Sequence, residues 1–513
     1  MKQLFTLLAV TLSCTAMGQT PVGEVNDSLD AGNIKAGLLG LGDMWMSPDG
    51  SSSQCEFPKG SGRTIAYAGN LWLAGYDNTG TLRVAAQTYR QDGSDFWPGP
   101  VTPVFDTALG YNWARIWKIN QSEIDEFLGL STHTLTNTPA AILEWPGKGN
   151  PYARGNGGVS LTVDRDMAPF VDVDGSGTYD PLAGDYPAIK GQQMLWSCFN
   201  DQSKPHYNTG GLPLGIFIRL SAYAYNSGTA WDNAVFYEYD IVNTSTTTYD
   251  SFRLGFFADL DVNVFNDFIG FDSTHRMMVA FSGLSADTTF AATGVSILQI
   301  PSDIPGVAPA PAVLGLFNND FTPDGNPESV ADYNEYIRGR NKSGVYKDWG
   351  GQLKLDMSLP NGGYAPCDSG LMGYDKRLVI STGNISLPTN QGKKLVVALL
   401  ASEHAGACPN LDLTGLDSVA DAIWGEEPTG IASLPATQSL DVYPNPANTV
   451  LYVTAALPGT APEVINMLGQ RFQPAYTRQG NKLQVDVSSL PKGLYTLLLI
   501  KNGKTQSRVF VKQ

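Results

Sequence analysis

RLSAYAYN at Arg219–Asn226 and AVFYEYDIV at Ala234–Val242 place valine, isoleucine, phenylalanine and tyrosine in runs of strand length. β-Branched and aromatic side chains suit a pleated surface, and a short apolar run without helical spacing reads as a strand. FRLGFFADL (Phe252–Leu260), RMMVAFSG (Arg276–Gly283) and KKLVVALLAS (Lys393–Ser402) repeat the pattern. Turn signals such as Asp77-Asn78-Thr79-Gly80 punctuate these runs. The strongest helical candidates, QSEIDEFLGL from Gln121 and DSVADAIWGE from Asp417, are short. Glycine is frequent at 55 of 513 residues, aromatics reach 10% and charged residues only 16%, a composition that favours strands and turns. No repeat of fixed period occurs, which argues against propellers and solenoids. The predicted fold is all-β: a multi-domain, β-sandwich-like body with long loops, followed by a small C-terminal antiparallel sandwich.

The N-terminus carries Lys2, an apolar stretch from Leu4 to Leu12, and Ala16-Met17-Gly18 before Gln19. A positive start, a short apolar core and small residues predict a secretory signal peptide over residues 1–18. The apolar stretch is well short of the roughly 20 residues that span a bilayer, and no other segment reads as transmembrane. Cys14 invites a lipoprotein reading, but Thr11 stands where a lipobox usually has leucine. The β-rich body then runs over 19–425, with candidate internal breaks near 200–215 or 300–312. A linker rich in Pro, Ser and Thr follows over 426–437.

Residues 438–513 differ in charge. They hold eight Lys/Arg against Asp441, Glu463 and Asp486, so +5, which leaves −21 for the rest of a chain whose total is −16. Such a change marks a domain boundary. Short runs alternate with period near two, and Lys501-Asn502-Gly503-Lys504 supplies a hairpin turn. Tyr443-Pro444-Asn445-Pro446, Asn466-Met467-Leu468-Gly469-Gln470 and Leu490-Pro491-Lys492-Gly493-Leu494-Tyr495 precede a basic final strand. These motifs, in this order, resemble the type A C-terminal sorting domain of type IX secretion substrates in Bacteroidota. The resemblance implies an Ig-like sandwich, passage through the periplasm, and recognition by the outer-membrane translocon. It also implies removal by a sortase-like protease, with release or attachment to surface lipopolysaccharide.

Further phrases lie in the body: Ile65-Ala66-Tyr67-Ala68-Gly69-Asn70-Leu71-Trp72-Leu73-Ala74-Gly75, Ala86-Gln87-Thr88-Tyr89-Arg90, Asp95-Phe96-Trp97-Pro98-Gly99-Pro100 and Glu144-Trp145-Pro146-Gly147. With the acidic stretch from Ala168 to Gly191, they resemble a group of large exported Bacteroidota proteins that share this body and this tail, and the resemblance implies no activity. Four cysteines follow the signal peptide, Cys55, Cys198, Cys367 and Cys408. Export permits disulfides, for which Cys367–Cys408 is the expected pair, with buried free thiols as the alternative.

VDVDGSGTYDPLAGDYP, from Val171, has the oxygen spacing of a calcium loop. With Asp172 first, Asp174 stands at position three, Ser176 at five, Gly177 at six, Thr178 at seven and Asp180 at nine. Calcium takes six to eight oxygens at about 2.3–2.6 Å, and alternate residues of a tight loop turn theirs inward. Ala183 replaces the usual Glu at position twelve, and Asp185 is the expected substitute. Pro169, Pro181 and Pro187 exclude flanking helices, so the expectation is a structural calcium ion in a β setting. The alternative is an Asp/Gly turn whose carboxylates cap backbone amides. Asp259 and Asp261 alternate in register and should face one side of a strand as a weaker candidate. Asn318-Asn319-Asp320 to Asp324-Gly325-Asn326 is weaker still.

No phosphate loop, GxSxG elbow or histidine metal spacing occurs, and each of His133, His206, His275 and His404 reads as a surface or packed residue. Trp72, Trp97, Trp145 and Trp196 read as core. The acidic body disfavours nucleic acid and anionic membranes. The expected function is a non-catalytic surface protein, binding a glycan or protein ligand or acting structurally. A secreted hydrolase acting on polysaccharide or protein is the alternative, since an acid pair leaves no spacing to read.

Overall fold

The computed structural model describes residues 19–425 and 441–513, apart from 90–93, 102–106, 264, 266, 273, 283–290, 302–311, 319–320, 346–374, 405–411, 455–460, 467–470, 480–481 and 502–503. The chain divides into two compact units, 1–428 and 429–513.

Two antiparallel sheets build the body. The larger runs in the order Asp267–Asp272, Met277–Ser282, Ala291–Gln299, Gly392–Glu403, Ala234–Asn243, Ile216–Ala224, Gln193–Asn200, Trp97–Pro98, with Trp117–Asn120 also paired to Gln193–Asn200. The smaller runs Ala312–Phe317, Lys376–Ser381, Tyr249–Asp259, Ala68–Tyr76, Leu82–Ala85, with Ile385–Leu387 also on Tyr249–Asp259. Alternate residues of both sheets meet in one core: Tyr237, Tyr239, Ile241, Val397 and Leu399 from the larger, and Leu71, Leu73, Leu254, Phe256 and Ile380 from the smaller. The body is therefore a β-sandwich. Each well-buried Leu or Ile there contributes about 1.5–3 kcal/mol.

Both outer faces are covered as well, which explains the nearly continuous apolar runs. Met194, Trp196, Phe236, Ala398 and Leu400 of the larger sheet pack against Leu416, Val419, Ala420 and Ile423 of the helix Thr414–Gly425, and against Ile124 and Phe127 of the helix Gln121–Leu128. Trp72, Phe257 and Val379 of the smaller sheet pack against Tyr333, Tyr336 and Ile337 of the helix Val330–Ile337. Ser329 caps that helix by accepting from the Asp332 amide, while the Asp332 carboxylate accepts from the Ser329 amide, a capping box of ordinary pattern.

The expected break at 200–215 is not a domain boundary. Gln193–Asn200 and Ile216–Ala224 pair residue for residue within one sheet, so the chain turns there and stays in the same core. The other expected break falls mostly on 302–311, outside the described residues. Trp72, Trp145 and Trp196 are fully buried, whereas Trp97 is half-buried under the Lys204 ammonium.

In the second unit, Asp441–Tyr443, Val450–Thr454, Lys482–Asp486 and Tyr476–Gln479 form one antiparallel sheet. Arg471–Phe472, Pro462–Asn466, Gly493–Lys501 and Lys504–Lys512 form the other. Leu451, Val453, Val485, Val464, Leu497, Leu499 and Phe510 fill the space between, a small sandwich as expected.

Candidate functional site

The loop from Asp172 is folded around its own carboxylates. Asp172 accepts from the amides of Gly175 (2.8 Å), Ser176 (3.1 Å) and Gly177 (2.8 Å). Gly175 and Gly177 take φ of 73° and 77°, a region that favours glycine. Asp174 accepts from the Ser176 amide at 2.9 Å, and this bond holds it below the usual carboxylate range. Asp185 is fully buried and accepts from the amides of Val173 and Asp180, both at 2.8 Å. One oxygen each from Asp172, Asp174 and Asp185 lies within 4.8 Å of the others. Of the remaining candidates, Ser176 donates to the Thr178 carbonyl at 2.9 Å, and Asp180 Oδ1 accepts from the Leu182 amide at 2.9 Å. Asp185 stands with the two leading aspartates.

A second cluster sits at one end of the smaller sheet. Leu260 and Val262 belong to the inter-sheet core, so the period of two turns Asp259 and Asp261 to the opposite face. The register brings the start of Lys376–Ser381 and the end of Ala312–Phe317 to the same end, because Ala258 pairs with Leu378 and Phe317 with Lys376. Asp259, Asp261 and Asp375 offer oxygens within 4.8 Å of one another. The Tyr89 hydroxyl donates to Asp259 Oδ2 at 2.6 Å, and Arg377 lies 3.3 Å from the same oxygen while also pairing with Tyr89 and Asp375. Asn318 donates to Asp375 at 2.7 Å and accepts from Asn326 at 2.9 Å, which draws the third acidic segment into the same site. Asn319 and Asp320 of that segment lie outside the described residues.

These groups line a cleft of about 680 Å³ that also presents Tyr67, Phe265 and Tyr333. Burial pushes Asp259 and Asp261 above the usual carboxylate range; Arg377 opposes this at both, and the charge of Asp259 raises Asp261 further. Tyr89, Asp375 and Arg377 were not singled out from the sequence as site residues. The one local signal was a basic pair, Lys376-Arg377, heading an apolar strand.

A third cluster is an ion clasp. His275 Nδ1 bonds Asp272 and Nε2 bonds Asp421 at 3.0 Å, and an oxygen of Asp417 lies within 4.8 Å of ligand atoms of Asp272 and His275. The other histidines are packed: His133 stacks on Phe127, His206 bonds the carbonyls of Val84 and Asp201, and His404 is buried. Cys55 and Cys198 are buried free thiols, and the expected Cys367–Cys408 pair lies outside the described residues.

Comparison with known proteins bears on the tail. A family model described as a secretion system C-terminal sorting domain matches residues 441–513. No curated protein matches the chain. Among solved structures, similarity extends to a polysaccharide lyase (9% identity, TM-score 0.19, covering 68% of this chain and 39% of that one). A heparan sulfate lyase from Pedobacter heparinus follows (10%, 0.24, 95% and 41%), then a lysyl oxidase from Pichia pastoris (8%, 0.29, 92% and 60%). The chain spans 39–60% of the length of these structures, and scores this low carry no argument about fold or activity. Among the described residues no helix is long and apolar enough to cross a membrane. The matched segment forms a two-sheet sandwich with its own core. Residues 441–513 are a type IX secretion C-terminal sorting domain, recognised by that machinery, and the chain is exported to the cell surface or the extracellular space.

Proposed function

We propose that the exported body is a non-catalytic surface protein that binds a glycan or protein ligand in the cleft at the end of its smaller sheet. The observation that carries this reading is the make-up of the cleft: Tyr67, Tyr89, Tyr333 and Phe265 beside Asp375, Arg377, Asn318 and Asn326. Aromatic faces stack on sugar rings, while planar amide, guanidinium and carboxylate groups bond hydroxyls. Phe265 is 61% exposed, a large apolar ring held in water at the rim. A structural calcium ion on Asp172, Asp174 and Asp185 staples the loop that these residues form. Cleavage of the tail by a sortase-like protease, with release or attachment to lipopolysaccharide, completes the reading.

A secreted hydrolase is the second reading. It is favoured by the paired carboxylates of Asp259 and Asp261, raised by burial, as a general acid requires. The full chain should be applied to a glycan and protein array, with bound oligosaccharides analysed for cleavage. Retention of intact ligand, weakened by Phe265→Ala, is the expected result. Turnover that Asp261→Asn abolishes would transfer the assignment to the hydrolase, and an array without any retained ligand would sink the binding reading.

A further inference from the structure

We propose that Asp259, Asp261 and Asp375 hold a divalent cation of the calcium class, which presents open coordination positions to an oxygen-rich ligand in the cleft. The ligand half rests on the binding reading above, whereas the ion half stands on the geometry.

Asp259 is 1% exposed, and its two oxygens are treated differently. Oδ2 is held by Tyr89 and Arg377, while Oδ1 has no hydrogen-bond partner. Asp261 Oδ1 is likewise buried and unpartnered. Both residues line the cleft, and Asp375 supplies a third oxygen within 4.8 Å. A buried carboxylate oxygen without a donor is costly, and protein folds normally satisfy it. Three ionised carboxylates against the one guanidinium of Arg377 leave a surplus of two negative charges, which one divalent ion neutralises. An all-oxygen donor set suits calcium or magnesium rather than zinc or copper. Calcium takes six to eight oxygens, more than three side chains supply, so the remaining positions face the cleft. Water fills them in the free protein, and ligand hydroxyls or carboxylates replace that water on binding. This occupant excludes a proton shared between Asp259 and Asp261, so an ion here and a general acid here are alternatives.

The test reads the ion itself, in the full chain carrying Asp172→Asn so that the other loop is silent. This variant is expected to retain one calcium, with affinity in the range of extracellular sites, about 10⁻⁴ to 10⁻³ M. It should also show terbium emission sensitised by the cleft tyrosines and displaced by calcium. Adding Asp261→Asn should abolish both signals. An Asp172→Asn protein that takes up neither ion overturns the proposal, as does a double variant that keeps the ion. Should the double variant misfold, Asp375→Asn in the same background decides by the same readouts. Because binding of the ion is measured without a ligand, an empty array counts against the binding reading and leaves this site standing.

Discussion

Asp185 shows how much one carboxylate can organise. It is fully buried, and its two oxygens take the amides of Val173 and Asp180, on opposite arms of the loop. Replacing it with alanine removes both bonds, at a cost of about 1 kcal/mol each, since the donors sit on exposed residues that water can reach. Asp185→Ala should therefore lower the melting temperature with or without calcium. Asp172→Asn should do so mainly in calcium, because an ion stabilises the folded state only while its concentration exceeds the dissociation constant. Thermal melts in millimolar calcium and in excess chelator check both; a wild-type melt that chelation leaves unmoved would count against the structural ion. Sequence spacing brought Asp172, Asp174 and Asp185 to notice. Spacing also offered Ser176, Thr178 and Asp180, whose oxygens take part in hydrogen bonds of the same loop.

Among elements, the helix Thr414–Gly425 depends on a charged contact as well as on its apolar stripe. His275 bridges Asp272 and Asp421, Trp424 donates to Ser296 at 3.1 Å, and Arg276 lies 5.0 Å over the Trp424 ring. The hydrogen bond to Asp272 raises the His275 pKa above its ordinary value, against the opposing effect of burial. Burial pushes Asp272 up, but its bonds to His275 outweigh this and hold it below the usual range. A raised imidazole pKa contributes stability that is complete below the unfolded value near ~6.5 and is lost as pH rises through the folded value. The depressed Asp272 contributes stability that is lost as pH falls through its own lowered value. The clasp is thus strongest in mildly acidic solution. His275→Asn should lower the melting temperature at pH 6, and the gap from wild type should narrow by pH 9. A gap that is constant with pH would mean that the imidazole acts by packing alone. Asp421 is 75% exposed on its side chain, so its share is small. The sequence offered this helix and the helix Gln121–Leu128 only as its strongest short candidates, and each buries an apolar stripe in the structure. The helix Val330–Ile337 was not called from the sequence. Its buried residues include Tyr333, Asn334 and Tyr336, so polar and aromatic side chains stand where an aliphatic stripe would have signalled a helix.

At the scale of the whole molecule, the chain separates address from cargo. The tail carries +5 and has its own core, while the remainder carries −21. A chain ending before residue 438 should accumulate inside the outer membrane instead of reaching the surface or medium. Fractionation followed by immunoblotting checks this, and surface display of the truncated chain would show that the tail is dispensable. The strand-rich class and the boundary of the tail were legible before folding, because strand propensity and charge are local properties, and the tail's role followed from the resemblance of its short motifs to a known sorting domain. The sequence also placed Asp259 and Asp261 on one face, since a period of two needs only a strand. Only the assembled sheets reveal that both outer faces of the body sandwich are covered, and that 200–215 connects two paired strands of one sheet. The tertiary structure alone joined Asp259 and Asp261 to Tyr89, Asp375 and Arg377, residues up to 288 positions apart. Antiparallel register brings distant strand ends together, and a register is chosen by burial of the whole core rather than by the residues it brings into contact.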